Sequence, residues 1–301
     1  MSLGEFTSDD KLRWLVDYLT NNGRDNDKME NFALLNISTW LLAGGYPKGS
    51  MRVFGYPSER PIYVFFVDIK QKEYVHVHVR APIENENSES CTAGIRLVLE
   101  LIRPEMEQFG GLSFEGNIFA TDIFNKIREE DGLLEEKYRV DMIGFYMNER
   151  QIGELIETEL VAPDGFTLGE IDVDAEFQQI HEAWPFKRNG PEVTRARLAD
   201  LPCVCVRDVD GNLASWEMAY NCGQLFHLFT FDQYRGKGVG LLAELACAQK
   251  FAKRGLAVFK YVRENNSNVL RGTIRHPLWT RSTTEDGADK KWTYNLYSMR
   301  Q

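Results

Sequence analysis

Apolar positions along the chain follow helical and strand periods in a regular order. Near the start, Leu12, Leu15 and Leu19 recur at the period of an amphipathic helix. The apolar run at residues 62–69 predicts a central strand, and the strict alternation at residues 74–79 predicts a second strand. For the N-terminal half as a whole, the pattern predicts helix, helix, three strands, helix, strand, helix and strand.

The second half of the chain closely repeats this order. Two predicted strands, at residues 203–207 and 213–220, are joined by the hairpin-turn sequence Asp-Val-Asp-Gly-Asn. A further apolar run at residues 224–231 predicts the next strand, and an amphipathic helix is predicted at residues 239–254. The repeated order indicates two copies of one structural unit.

An acidic stretch at residues 148–165 is the predicted linker between these copies. It ends in Pro163-Asp164-Gly165, a sequence typical of turns. We therefore predict an α/β fold with mixed α+β sheets, in which tandem units span residues 1–150 and 166–301.

Composition and charge limit the partners that the chain is expected to bind. Of its 301 residues, 43% are hydrophobic and 27% are charged, which is enough apolar material for real cores. The net charge of -10 argues against a general nucleic-acid or membrane-surface binder, because phosphate groups attract a basic face. No apolar run reaches the length of a membrane span, and the first ten residues resemble neither a signal peptide nor an Arg-rich presequence. We expect a cytoplasmic protein of undetermined oligomeric state.

The cysteines and two strand histidines are the residue types that could form a metal or redox site. None of the five cysteines has CxxC spacing, and Cys203 and Cys205 alternate as small core residues of a strand would. His76 and His78 lie two positions apart on a predicted strand, which places both rings on one face at a spacing that can bind metal. The sequence pattern offers no third ligand, so we predict two half-exposed histidines and no metal site.

One stretch, residues 234–241, carries the clearest chemistry. Gly236, Gly238 and Gly240 occupy alternate positions between a predicted strand and a predicted helix. Glycine lets the backbone approach a ligand closely, and helix N-terminal amides without intrahelical partners favour an anion. Arg235 and Lys237 add positive charge at the same place. The stretch therefore predicts a phosphate-binding cradle.

The spacing Arg235-x-x-Gly238-x-Gly240 resembles the acyl-CoA signature of the GNAT superfamily of N-acyltransferases. Residues 166–280 are more closely similar to the glycine N-acyltransferase family. The shared residues are Trp184, Phe186, Asn189, Pro202, Cys203, Gly211, Trp216, Glu217, Gly223, Thr230, Tyr234, Arg235, Gly238, Gly255, Val258, Val262 and Asn266. The resemblance implies two tandem GNAT-like domains, of which the second carries the CoA site and the first is degenerate.

The resemblance also implies a reaction. An acyl-CoA would donate its acyl group to the amine of glycine or of another small acceptor, with no metal. Its pyrophosphate would lie on the cradle amides, and its pantetheine arm would follow the preceding strand, where an amide near Leu228 would stabilise the oxyanion. The implied cofactor-binding residues are Leu228, Phe229, Thr230, Arg235, Gly236, Lys237, Gly238, Val239, Gly240 and Asn266.

The chain departs from the resembled family at the catalytic base. The family places a glutamate where this chain has Gln224, and an amide cannot accept a proton as a carboxylate does. Possible substitutes are Glu217 on the adjacent strand, His227, and His181 in a helix. On an ideal strand, His227 would point to the face opposite Gln224 unless a bulge intervened.

Two other functions stay open at this point. A non-catalytic acyl-CoA-binding protein would keep the cradle and lack the base, as Gln224 indicates. A nucleotide-binding dehydrogenase would also have glycines between a strand and a helix, with Glu264 after the next strand as its ribose-binding acid. That class needs a third glycine where this chain has Leu241, and the hairpins before the cradle do not suit its fold.

Overall fold

The computed structural model describes residues 1–21, 28–43, 51–69, 75–81, 88–185, 190–221 and 223–300. Phe186 and Asn189, named above for the resemblance, lie outside the described residues, as does Cys222. The chain divides into two compact units. The first consists of Met1–Gly144, Tyr261–Leu270 and Arg281–Gln301, and the second of Phe145–Lys260 and Arg271–Thr280.

The first unit is a mixed sheet with helices. Its helices are α1 (Asp9–Asn21), α2 (Lys28–Ala43), α3 (Ser88–Leu101), α4 (Arg103–Phe109) and α5 (Ile118–Asp131). Its strands are β1 (Gly4–Glu5), β2 (Met51–Tyr56), β3 (Tyr63–Asp68), β4 (Val75–Arg80), β5 (Gly111–Asn117), β6 (Leu134–Tyr146) and β13 (Lys291–Met299). They pair in the order β1-β2-β3-β4-β5-β13-β6, and β4 is parallel to β5. The last strand of the chain thus pairs between β5 and β6.

The central strands of this unit form its buried core. Every residue of β3 is buried, as its continuous apolar run predicts, and β3 pairs with β2 on one side and β4 on the other. Phe114 of β5 stacks on Phe124 of α5, with ring centroids 4.2 Å apart. The prediction of half-exposed histidines on β4 is wrong. His76 and His78 are both 0% exposed, because this strand is covered on both faces.

The second unit also has a mixed sheet. Its helices are α6 (Glu149–Glu157), α7 (Val173–Ala183), α8 (Pro191–Asp200), α9 (Val239–Lys253) and the end of α10 (Ser267–Arg275). Its strands are β7 (Phe166–Gly169), β8 (Cys203–Asp208), β9 (Leu213–Ala219), β10 (Leu225–Thr230) and the start of β11 (Phe259–Arg263). The strands from β7 to β10 pair antiparallel in sequence order, and β10 pairs parallel with β11. The remaining strand in the described part of the chain is β12 (Thr280–Arg281).

Helix α9 packs against β8, β9 and β10, so the predicted amphipathic helix does cover the sheet. On β8, Cys203 and Cys205 are buried, and burial raises the pKa of each thiol to about 11. They are small core residues, as the alternation predicts. Among the described residues, no helix is both long enough and apolar enough to cross a bilayer.

Half of the predicted linker is a helix. Asn148 begins α6 with a capping box, since its side chain accepts from the Gln151 amide and the Gln151 side chain accepts from the Asn148 amide. Leu155 of α6 is fully buried. The acidic composition of this stretch led to the prediction of a linker. The stretch instead forms a helix whose buried side packs against α9 of the second unit.

Candidate functional site

The cradle forms between the end of β10 and the start of α9. Gly236 and Gly238 have φ values of 75° and 81°, in the left-handed region that favours glycine. Gly238 is the N-cap of α9 and no side chain caps the helix there. Gly240 is needed for space, because a Cβ at this position would lie 2.8 Å from the Thr230 hydroxyl oxygen. The first-turn amides of α9 therefore lack a side-chain acceptor and can bind an anion.

Charged side chains surround this opening. Arg235 pairs with Asp232 at 2.8 Å, and its Nε donates to the Thr230 carbonyl oxygen at 3.3 Å. Lys237 holds its ammonium 5.8 Å from the Phe166 ring centroid and 5.6 Å from that of Tyr234. Both cations are exposed, so they can reach a polyanion bound at the cradle.

Strand β10 carries a bulge directly before the cradle. Phe226 pairs with Met218 and Phe229 pairs with Trp216, so two residues of β10 lie opposite one residue of β9. The two are His227 and Leu228, and the one is Glu217. His227 has a φ of 60°, which is rare for a residue with a Cβ. On its other side, β10 registers with β11 at Leu225 and Lys260.

Beyond the bulge, β10 is anchored to β9 by side chains. Phe229 stacks on Trp216, with ring centroids 4.7 Å apart. The Ser215 hydroxyl donates to the Phe229 carbonyl oxygen at 2.7 Å and lies 2.9 Å from the Thr230 hydroxyl oxygen. Leu228, Phe229 and Thr230 are half-buried, so this length of strand borders solvent-accessible space next to the cradle.

The position of the expected base is buried and neutral. Gln224 is 6% exposed, and its side-chain oxygen has no hydrogen-bond partner among the described residues. An amide oxygen left unpaired in this way is costly, and it cannot take up a proton at neutral pH.

Because of the bulge, the His227 side chain lies in an aromatic environment. Its ring centroid lies 4.5 Å from that of Trp184 and 5.8 Å from that of Trp216. Burial, with a smaller effect from Arg197, lowers the pKa of His227 to about 3, so the imidazole is neutral and weakly basic. His181 on α7 lies with its Nδ1 3.0 Å from the Thr194 hydroxyl on α8, which ties it to the helix pair.

Glu217 belongs to a buried charge cluster in the second unit. Glu244 Oε2 lies 2.6 Å from Lys260 Nζ, and Trp279 Nε1 donates to Glu244 Oε1 at 2.7 Å. Lys260 also lies over the Trp279 ring, 4.4 Å from its centroid. Burial, reinforced by the charge of Glu244, raises the pKa of Glu217 well above its ordinary value, and Lys260 opposes this only in part.

Comparison with known proteins identifies the fold. No protein-family model matches the chain. A crystal structure of a Drosophila protein superimposes with a TM-score of 0.72 at 15% identity, and covers 97% of each chain. A putative acetyltransferase from Pyrococcus horikoshii matches with a TM-score of 0.54 at 11% identity, over 100% of this chain and 89% of that chain. A GCN5-related N-acetyltransferase from Sphaerobacter thermophilus matches with a TM-score of 0.51 at 12% identity, over 87% and 85%. The chain has a GNAT fold.

The GNAT fold confirms the predicted mixed α/β architecture. At these identities the likeness concerns the fold alone, so the tandem arrangement and the glycine N-acyltransferase resemblance stay predictions. Within the second unit, the structure brings together the cradle, the bulged strand and Glu217. Asn266, predicted to contact the donor, belongs to the first unit, where its side chain accepts from the Val269 amide at 3.4 Å at the start of α10.

Three members of the buried cluster were missed by sequence reasoning: Glu244, Lys260 and Trp279. One signal was present, since Glu244 is the only acid in the otherwise basic stretch at residues 235–263. An acid at a helix position that faces the sheet is buried only when it has a partner. Its partners lie on β11 and just after α10, and the sequence pattern does not show that these segments meet.

Proposed function

We propose that the chain is an acyl-CoA-dependent N-acyltransferase that acylates the amine of glycine or of another small acceptor. The observation that carries the proposal is the cradle of the second unit. Two left-handed glycines and an uncapped helix N-terminus directly follow a bulged strand, in a chain with a GNAT fold. Two of the proteins that share this fold are named as a GCN5-related N-acetyltransferase and a putative acetyltransferase.

The donor binds through its phosphates and its extended arm. The pyrophosphate accepts from the amides of Gly236, Lys237, Gly238, Val239 and Gly240. The Arg235 guanidinium and the Lys237 ammonium add charge-assisted contacts from the exposed side. The pantetheine arm follows β10 along Leu228, Phe229 and Thr230 and carries the thioester toward the bulge.

The chemistry needs a deprotonated amine and support for the oxyanion. The amine nitrogen attacks the thioester carbonyl carbon, a C–N bond forms, and the C–S bond breaks to release CoA thiolate, which then takes up a proton. The amide of Leu228, freed from regular pairing by the bulge, is the proposed oxyanion donor. The proton lost by the attacking ammonium passes to a base on the protein.

Glu217 is a better candidate for that base than His227. It lies opposite the bulge, and burial beside Glu244 makes its carboxylate more basic than an exposed one. His227 is too weak, because its pKa is lowered to about 3. Since the protonated Glu217 cannot accept a proton, the rate of acyl transfer should rise with pH as Glu217 ionises.

A second candidate function is non-catalytic acyl-CoA binding. Gln224 favours it, because a buried neutral amide stands where the resemblance places the base. The raised pKa of Glu217 also favours it, since a carboxyl that does not ionise would leave the site without a base.

Donor binding is tested with Gly238→Asp and a matched control. The variant places a carboxylate at the uncapped N-terminus of α9, so CoA affinity by calorimetry should fall tenfold or more, which is about 1.4 kcal/mol. Gly255→Asp is the control, because Gly255 is also left-handed, has open space around its Cβ, and lies past the other end of the same helix. Equal CoA affinity in Gly238→Asp and Gly255→Asp would refute the cradle assignment.

Catalysis is tested separately by thiol release from acetyl-CoA and benzoyl-CoA across a panel of amines that includes glycine. The wild type should turn over, and Glu217→Gln should lower the rate by about 10²–10⁴-fold while CoA affinity is unchanged. A wild type that binds CoA without turnover, together with activity gained in Gln224→Glu, would support the binding protein and refute the enzyme.

A further inference from the structure

The buried histidines of the first unit lie beside a glutamate from the neighbouring strand. Strand alternation places His76 and His78 on one face of β4, and the parallel register pairs His78 with Glu115 of β5. His76 Nε2 lies 3.5 Å from Glu115 Oε2, and His78 Nδ1 lies 3.9 Å from the same oxygen. One ligand atom from each of the three residues lies within 4.8 Å of the other two. The sequence pattern did not indicate Glu115 as a third ligand, because two helices separate β4 from β5 along the chain.

Further side chains hold two of these residues in place. His76 Nδ1 lies 2.7 Å from the Ser113 hydroxyl, which leaves Nε2 as the nitrogen that faces Glu115. The Trp292 indole donates to Glu115 Oε1 at 3.0 Å, which leaves Oε2 as the oxygen nearest the histidines. Hydrogen bonds to the far atom of a ligating imidazole or carboxylate are typical of metal sites, where they fix the orientation of the ligand.

The burial of His78 is the observation that most favours a bound ion in this cluster. Its side chain is 0% exposed, and neither ring nitrogen has a partner within hydrogen-bond distance among the described residues, since the Glu115 carboxylate oxygen lies 3.9 Å from Nδ1. A neutral imidazole has one donor and one acceptor, and burial of both without partners is costly. The ring centroid lies 5.1 Å from that of Trp292, so an aromatic wall covers the imidazole on that side.

We propose that His76, His78 and Glu115 bind one Zn²⁺ ion that ties β4 to β5. Two imidazoles and one carboxylate are a donor set that zinc uses, with bonds of about 2.0–2.2 Å. Tetrahedral bonds of that length place ligand atoms roughly 3.4 Å apart, so the observed 3.5 Å fits and the 3.9 Å contact must close by about half an ångström. The fourth position is open to a water molecule.

Burial of all three ligands favours a structural ion over a catalytic one. Glu115 is only 1% exposed, so a substrate cannot reach the three ligands directly. Asp68, which pairs with His76 across β3 and β4, is also buried. Trp292, which donates to Glu115, also lines a cavity of about 370 Å³ in this unit, so the cluster lies one side chain from open space.

The test begins with the wild-type protein. After dialysis against a chelator, Zn²⁺ is titrated in competition with a chromophoric chelator. The expected result is one tight equivalent per chain, with a Tm that rises by about 5–10 °C at saturating metal. Co²⁺ substitution should give the visible absorption bands of a tetrahedral site. No tight equivalent in the wild type would overturn the proposal, and one equivalent of Fe²⁺ with none of Zn²⁺ would overturn the choice of zinc.

Two variants and one control locate the site. Glu115→Gln keeps an acceptor for Trp292 but removes the charge, and His78→Gln removes one ligand that has no other partner. Each should weaken Zn²⁺ binding by about 100-fold or more, while His181→Gln, a histidine of the second unit held by Thr194, should not. Unchanged zinc affinity in Glu115→Gln would overturn the proposal even if His78→Gln failed to fold.

Discussion

Replacement of Glu217 by glutamine tests whether this side chain carries a proton in the native protein. Gln matches a protonated carboxyl in shape and charge, so the substitution should be nearly neutral where Glu217 is protonated in both the folded and the unfolded chain. The pKa of Glu217 is raised by burial and by Glu244 from an ordinary value of 4.5. As pH rises past that value, the unfolded state loses its proton first, and the native state loses stability.

The magnitude follows from this linkage. A group that is protonated when folded and ionised when unfolded lowers the free energy of unfolding by about 1.4 kcal/mol per pH unit. The decline begins near the unfolded pKa and ends only when pH passes the raised pKa of the folded state. Glu217 is 2% exposed, so solvent screens little of this effect. Glu217→Gln should therefore equal wild type near pH 4.5 and become progressively more stable than wild type toward neutral pH.

The assay is urea unfolding of both proteins at several pH values, followed by far-UV circular dichroism. The difference between the two curves reports Glu217 together with the cluster that it shares with Glu244 and Lys260, because the contributions of His227 and of groups outside that cluster cancel. Glu159→Gln, at an exposed position of the second unit, controls for the loss of a carboxylate as such. A stability difference that stays constant from about pH 4.5 to 8 would refute the protonated state of Glu217.

Two further predictions concern β10 and the cradle residue Gly240 that lies against it. Gly240→Ala forces a Cβ to 2.8 Å from the Thr230 hydroxyl, so it should cost about 1–3 kcal/mol in urea unfolding, and Thr230→Ala in the same chain should restore part of that loss. No recovery in the double variant would contradict the steric explanation. His227, whose pKa burial lowers to about 3, should show ring proton shifts by NMR that do not change between about pH 5 and 8, and a titration near its ordinary pKa would contradict the buried placement.

The local sequence was sufficient to predict the backbone conformation of the cradle. Gly236 and Gly238 adopt the left-handed backbone that their identity permits, and α9 begins where the amphipathic period begins. The apolar run of β3 was likewise sufficient, because a continuous run of that length is stable only when both faces are covered. These features depend on residues that are neighbours in the chain.

Long-range packing decided the candidate chemistry. His227 follows a bulge, and a bulge depends on how β10 registers with β9 rather than on the residues of β10 alone. The predicted linker also depends on long-range packing, because the buried side of α6 stabilises a helix in an acidic stretch.

By itself, the sequence determined the order of helices and strands, the left-handed glycines and the open N-terminus of α9. These are set by backbone sterics and by hydrophobic periods that act within a few residues. Only the tertiary structure decided which ionisable groups meet in the interior. Glu217, Glu244 and Lys260 come together in one unit, and His76, His78 and Glu115 come together in the other. Burial of a charge is costly unless partners from other segments share it, so those partners are known only once the strands are paired.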